Sequence, residues 1–411
     1  MRGTAMSTSS TLVLLYCIST AVAIAVRRLR VPFTVALVIV GLVLGSLHLV
    51  APPHLTRELL FTFFLPGLLF EAAFHLDLPA FRAWWRSALG LAVPGVLVAM
   101  GLTAVMVAAA GRALGLSPAL DLTLGFVFGA LVAATDPVAV TAIFRETRAP
   151  ARLGALVEAE SLFNDGTGVV FLSLVLAYAL GTVTSPVVIA LEFALVAGGG
   201  VLVGLVVGWV ISMVIRRVDE PAIEIGLTVI AAYGSFVLAE QLGASGVLAT
   251  VVAGMMCGRH GRDLGMSDAS RAAVATFWEY VAFALNSIVF LLLGFSFDAA
   301  RLGAIWPLII VAFVAMTVAR AAIVFATLGV QRVRSEGMPW SWGTVITLGG
   351  LRGALSVVLA LALPAELPQR ELVVSLTIGV VLLSIVVQGL TVPLVIRRLA
   401  LESDTPRDRA P

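Results

Sequence analysis

Glu160-Ser161-Leu162-Phe163-Asn164-Asp165-Gly166 interrupts a run that is otherwise apolar from Leu153 to Leu180. An ionised side chain at membrane depth costs at least about 2.5–3.5 kcal/mol on insertion scales, so polar groups kept there are candidates for function. Helical spacing groups them. Glu160 lies one i,i+4 step before Asn164, and Ser161 one before Asp165, so two adjacent rows share a helix face and can present oxygens jointly to a small cation. The plainer alternative is a polar contact between helices.

Working outward, the composition agrees with a membrane setting. The chain is 60% hydrophobic and 12% charged with a mean hydropathy of +1.08, far from the quarter of charged residues usual in soluble domains. A net charge of +2 gives no argument for nucleic acid, and every basic residue is Arg. Cys17 and Cys257 fall in separate apolar segments without metal-type spacing and read as small core residues.

Thirteen apolar runs come near the length of about twenty residues that a helix needs to cross the hydrocarbon core. The first, Leu12 to Val26, carries a signal-like Ala21-Val22-Ala23, but its arginines (Arg27, Arg28, Arg30) follow it, which favours a retained helix. Ser245 to Cys257 is too short to cross upright and reads as a broken or tilted element. An odd number of crossings puts the two termini on opposite sides, and the arginines after the first helix place the amino terminus outside and the carboxyl terminus in the cytoplasm. Nineteen arginines then fall on the inner side, while Arg2, Arg57, Arg112, Arg301 and Arg370 fall outside, the asymmetry that the positive-inside rule demands. Arg320 and Arg352 belong to neither set, because they lie inside apolar spans. Gly200, Gly204 and Gly208 form a ridge of small residues suited to close helix packing.

Two spans are interrupted. In Ala134-Thr135-Asp136-Pro137 the proline lacks a backbone donor and disfavours helix at Asp136. In Leu348-Gly349-Gly350-Leu351-Arg352-Gly353 three glycines weaken the helix around an arginine. Half-helix ends expose dipoles that Asp136 and Arg352 can offset. The breaks lie seven spans apart, hence in helices running in opposite directions. This is the mark of an inverted repeat, spans four to six against eleven to thirteen. The fold class expected is all-α integral membrane, with about thirteen helices, inverted repeats and two crossing broken helices.

Other classes fit less well. An intramembrane protease needs a Gly-x-Gly-Asp pair, a serine with a buried histidine, or His-Glu-x-x-His, and none is present. A channel needs a pore-lining ring or filter repeat, where this chain has one asymmetric polar cluster between two breaks. Glu192, Glu240 and Glu279 read as snorkelling or interface residues, and His48, His54, His75 and His260 receive no proton-relay role.

Four segments taken in order, Thr135-Asp136-Pro137, Glu160 to Gly166, Asn286-Ser287-Ile288-Val289-Phe290-Leu291-Leu292-Leu293-Gly294 and Gly349-Gly350-Leu351-Arg352-Gly353-Ala354-Leu355-Ser356, resemble the monovalent cation/proton antiporters of the sodium/proton exchanger type, in their Asn-Asp branch. The resemblance covers nearly the whole chain. It implies a homodimer in the cell inner membrane, with core helices at about 57–180 and 272–398 moving against scaffold helices at about 11–51 and 186–258. By position, Asp165 resembles the carboxylate that takes cation or proton. Ser161 and the Thr135 carbonyl resemble its co-ligands in a Na+ site, with Glu71 as a further oxygen donor, directly or through water. Asp136, Glu160, Asn164 and Arg352 resemble the supporting cluster, and Arg320 a second buried arginine of the family. The implied activity is electroneutral Na+/H+ antiport by alternating access, with K+ or Li+ as the alternative cation. The polar end after Arg398 is brief, so no soluble regulatory domain is expected, nor any cofactor besides the transported ions.

Overall fold

The computed structural model describes residues 8–29, 33–47, 60–115, 121–136, 140, 143–144, 147, 149–181, 185–262, 264–295, 299–333 and 338–399, and among them there is no strand. The amino-terminal helices are α1 (Thr8–Leu29), α2 (Phe33–Ser46), α3 (Leu65–His75), α4 (Leu78–Gly90), α5 (Val96–Ala113) and α6 (Leu122–Leu131). The middle of the chain forms α7 (Ala151–Ala179), α8 (Pro186–Ile215), α9 (Pro221–Val229), α10 (Ser235–Gln241) and α11 (Gly246–Met256). Then follow α12 (Asp268–Phe295), α13 (Ala299–Val333), α14 (Trp340–Leu348), α15 (Ala354–Leu361) and α16 (Arg370–Arg398).

Among the described residues, seven continuous helical segments are long and apolar enough to cross a bilayer, including Trp84–Ala113, Arg152–Ala179, Leu302–Arg332 and Arg370–Arg398. Four shorter apolar helices accompany them, including Phe61–His75 and Leu122–Leu131. Local chemistry fixes several ends. Asp121 accepts from the Leu124 N–H at the start of α6, Ser245 does the same for Leu248 in α11, and prolines open α8 and α9. Glu240, read as a snorkelling or interface residue, is exposed and accepts from the Gly246 N–H.

Wider, π-type turns join α4 to α5 at Leu91–Gly95 and α9 to α10 at Ile230–Gly234. The first contains Pro94, whose ring removes a donor from the ladder, and in the same turn the Ala92 carbonyl accepts from the Thr167 hydroxyl of α7 while the Val96 N–H donates to the Val93 carbonyl. Another such turn, Cys257–Arg262, extends α11. This corrects the expectation of a short element at Ser245 to Cys257, because the helix does not stop at the cysteine. Cys17 is a second correction, since it lies exposed on α1 and only Cys257 is buried.

The glycine ridge packs as its spacing suggests. A Cβ at Gly200, Gly204 or Gly208 would overlap Ser245, Ala249 or Met256, so α8 and α11 approach to backbone contact. Around the interruptions the order is continuous helix, broken helix, continuous helix, once as α4–α5, α6 and α7 and again as α13, α14–α15 and α16. The chain leaves helix after Leu131 and again between Leu348 and Ala354, and the two breaks meet where the Asp136 N–H donates to the Leu351 carbonyl at 2.7 Å. Pro137, credited with the first break, lies outside the described residues, as do His48 and His54.

Candidate functional site

The long helix α7 carries Glu160, Ser161, Asn164 and Asp165 in adjacent turns, all buried. It passes the crossing of the two breaks, so its polar rows face backbone groups that have lost their helical partners. Asp165 lines a cavity of about 70 Å³ together with Glu71, Thr135, Asp136 and Asn286, otherwise walled by apolar residues of α3, α12 and α15. Thr135 meets Asp165 through its backbone N–H. Its hydroxyl donates to Ser161 Oγ at 2.9 Å, which ties the first break to α7. Asp165 Oδ1 is buried and has no hydrogen-bond partner, an unsatisfied acceptor on a residue that lines this small cavity.

Behind this cavity a second set of contacts holds the frame. Asn164 Nδ2 donates to the Ala133 carbonyl at 2.8 Å, and lies 3.3 Å from Glu160 Oε1 and 3.4 Å from Thr135 Oγ1. Arg320 of α13 grips Glu160 with both terminal nitrogens, at 2.8 and 3.1 Å, and its Nε donates to the Ile346 carbonyl of α14. Arg352 sends Nη1 to the Ala133 and Ala134 carbonyls at 2.8 and 3.2 Å, and its N–H donates to Ser384 Oγ of α16. The glycines beside it make room for these contacts, since a Cβ at Gly350 would overlap the Arg320 guanidinium and one at Gly353 would overlap Asp136.

The sequence-derived cluster is therefore brought together with its partners redistributed. Arg320, the residue with the least specific expectation, makes the buried ion pair with Glu160, whereas Arg352 serves the orphan carbonyls of the first break; all three line one cavity of about 30 Å³ with Asn164. Glu71 reaches the wall of the Asp165 cavity, but one of its oxygens lies 3.3 Å from His75 Nδ1. That contact was missed, although the i,i+4 spacing of Glu71 and His75 signals it. Also missed was Glu224, fully buried against Ser270, where the first turns of α9 and α12 supply positive helix ends.

A family model described as sodium/hydrogen exchanger, transmembrane, matches residues 13–398. The chain belongs to the sodium/hydrogen exchanger family. Membership makes it a multi-pass membrane cation/proton antiporter and not an enzyme. It is 38% identical over 382 residues to the Na(+)/H(+) antiporter ApNhaP of Aphanothece halophytica, covering 92% of this chain and 72% of that one. It is 39% identical over 354 residues to the Na(+)/H(+) antiporter NhaP of Pseudomonas aeruginosa, with 83% and 81% covered, and 35% identical over 407 residues to NhaH of Halobacillus dabanensis, with 95% and 97% covered. Among solved structures, the sodium proton antiporter MjNhaP1 of Methanocaldococcus jannaschii at pH 8 superimposes with a TM-score of 0.77 at 20% identity, over 97% of this exchanger and 99% of that chain. The antiporter fold is thus shared well beyond the reach of sequence identity.

Proposed function

We propose that this protein exchanges one sodium-sized cation for one proton at a single carboxylate, Asp165, by alternating access. The observation that carries the reading is the buried Asp165 oxygen left without a partner on a residue that lines a small cavity with Thr135 and Glu71, Ser161 standing behind Thr135 as its hydrogen-bond acceptor. A hard monovalent cation takes several oxygen ligands, and Asp165, Ser161, Thr135, Glu71 and water can offer them. A proton on Asp165 removes the charge that the cation needs, so the two cargoes exclude each other. Asn164 beside Asp165 is neutral and already engaged with Ala133 and Glu160, which leaves one titrating exchanger and supports an electroneutral cycle. Asp136, Arg320, Glu160 and Arg352 act as the frame, holding both half-helix ends against α7.

The names of the relatives favour Na+ over K+ or Li+ as cargo. Arginine placement favours the amino terminus outside and the carboxyl terminus inside the cell inner membrane. We further propose a homodimer in which the helices at about 57–180 and 272–398 move against those at about 11–51 and 186–258. The test is flux in proteoliposomes carrying a pH dye. Addition of Na+ is expected to move protons in the opposite direction, saturably, and Asp165→Asn is expected to insert and fold but not exchange. Coupled exchange retained by a folded Asp165→Asn protein overturns the assignment, and a passive current without proton movement indicates a channel.

A further inference from the structure

Between α5, α6, α7 and α8 lies a cavity of about 690 Å³, some ten times the volume at Asp165 and separate from it. Its walls include Leu97, Met100, Phe126, Leu174, Tyr178 and Phe193, and only Thr123 and Tyr178 among all the lining residues bear a polar group. Water has too few partners to fill it, since a stable buried water needs two to four polar contacts. A void of this size left empty would forfeit dispersion contacts along its whole lining. Its volume and apolar lining match the usual range of small-molecule pockets, about 300–1,000 Å³.

The position narrows the occupant. Leu97, Leu122 and Tyr178 are exposed at 48%, 45% and 50%, so the cavity opens on the face that a bilayer covers. It reaches from Pro94, in the wide turn between α4 and α5, to Leu122 and Ile189 near the starts of α6 and α8. The half-exposed Tyr178 near the end of α7 carries its hydroxyl where a ring with one wet end favours the headgroup level. Phe171 of α7 stacks on Phe193 of α8 at 4.6 Å, which places the cavity at the seam between the helices that bear the ion site and those that do not.

We propose that this cavity is a binding site for one acyl chain of a membrane phospholipid, entering laterally between Leu97, Leu122 and Tyr178. The chain touches α5, α6 and α7 on one side and α8 on the other, so movement between these groups must reshape the site. Chain length and unsaturation are then expected to change the exchange rate. That consequence rests on the alternating-access reading, whereas occupancy of the cavity does not.

The test uses the full chain in liposomes doped with a phospholipid that carries a terminal diazirine on one acyl chain. After irradiation, peptide mapping is expected to show several-fold more label on Met100, Phe126 and Leu174 than on Leu202 and Leu205, which are exposed on α8 away from the cavity. Leu174→Trp, which fills the cavity, is expected to lower labelling of Phe126 several-fold and leave Leu202 and Leu205 unchanged; Ala190→Phe, at the exposed rim, is the second variant should the first fail to fold. Equal labelling of cavity and α8 surface, or cavity labelling indifferent to a folded filling variant, overturns the proposal. Because Asp165→Asn is expected to label like the parent protein, failure of the exchange reading is distinguishable from failure of this one.

Discussion

Removing Arg320 while leaving Glu160 in place is the sharpest perturbation of the frame. Glu160 is 1% and Arg320 8% exposed, and the two meet in a two-pronged contact at 2.8 and 3.1 Å. Arg320→Met removes both of these hydrogen bonds and, among the described residues, leaves the carboxylate the Asn164 hydrogen bond at 3.3 Å. Breaking a buried pair from one side typically costs about 3–5 kcal/mol, whereas replacing both partners is far cheaper because no charge is left behind. With an unfolding entropy of about 2.1 cal/mol/K per residue, a chain of 411 residues loses roughly 4–6 °C of melting temperature, and more if the unfolded state keeps its helices. The assay is thermal unfolding of purified protein in detergent, followed by tryptophan fluorescence, across Arg320→Met, Glu160→Gln and the double variant. Each single change is expected to lower the melting temperature, and the double variant to recover most of the loss. If the double variant instead shows the sum of the two single losses, Glu160 and Arg320 do not stabilise each other and the frame lies elsewhere.

Three further outcomes follow from the site. Lowering the pH is expected to raise the cation concentration for half-maximal exchange and leave the maximal rate nearly unchanged, because protons and cations exclude each other at Asp165; a dye-based titration in proteoliposomes over several pH values reads this directly. A membrane potential imposed with a potassium ionophore is expected to leave the flux-reversal point unmoved, although one net charge would bias it by about 2.3 kcal/mol per 100 mV. A reversal point that follows voltage assigns a second proton to Glu71 or Asp136. Gly353→Ala is expected to lose exchange and about 1–3 kcal/mol of stability, as overpacking does, because its methyl group would overlap Asp136; normal flux and melting in this variant show that the crossing yields without harm.

Much of this molecule was legible because a bilayer makes its demands plain. Ionisable residues in apolar runs are so costly that Asp165, Glu160, Arg320 and Arg352 announced themselves by position alone, and Pro137 and the glycines at 349, 350 and 353 marked where helix must fail. Partner choice was not legible. Glu160 has two arginines within one small cavity, and which one takes its carboxylate depends on how α13 sits beneath Gly350, a packing outcome with no counterpart in local spacing. The continuation of α11 past Cys257 was hidden because Arg259, His260 and Arg262 read as a loop, yet they lie on a wide helical turn where Arg262 caps the Phe74 carbonyl. Glu224 escaped attention because it stands one residue inside the apolar run that opens at Ile223, close to the acidic Asp219 and Glu220, while the fold buries it.

The hydrogen bond from Asp136 to the Leu351 carbonyl has a consequence for rebuilding this protein from parts. Arg352 spans the same junction to Ala133 and Ala134, and Gly353 keeps space for Asp136, so neither interruption is complete without the other. The segments 133–136 and 350–353, more than two hundred residues apart in the chain, behave as one inheritable cassette. A chimera that takes one segment from a distant relative brings its backbone donors to acceptors shaped for another partner, whereas a chimera that takes both transfers a finished joint.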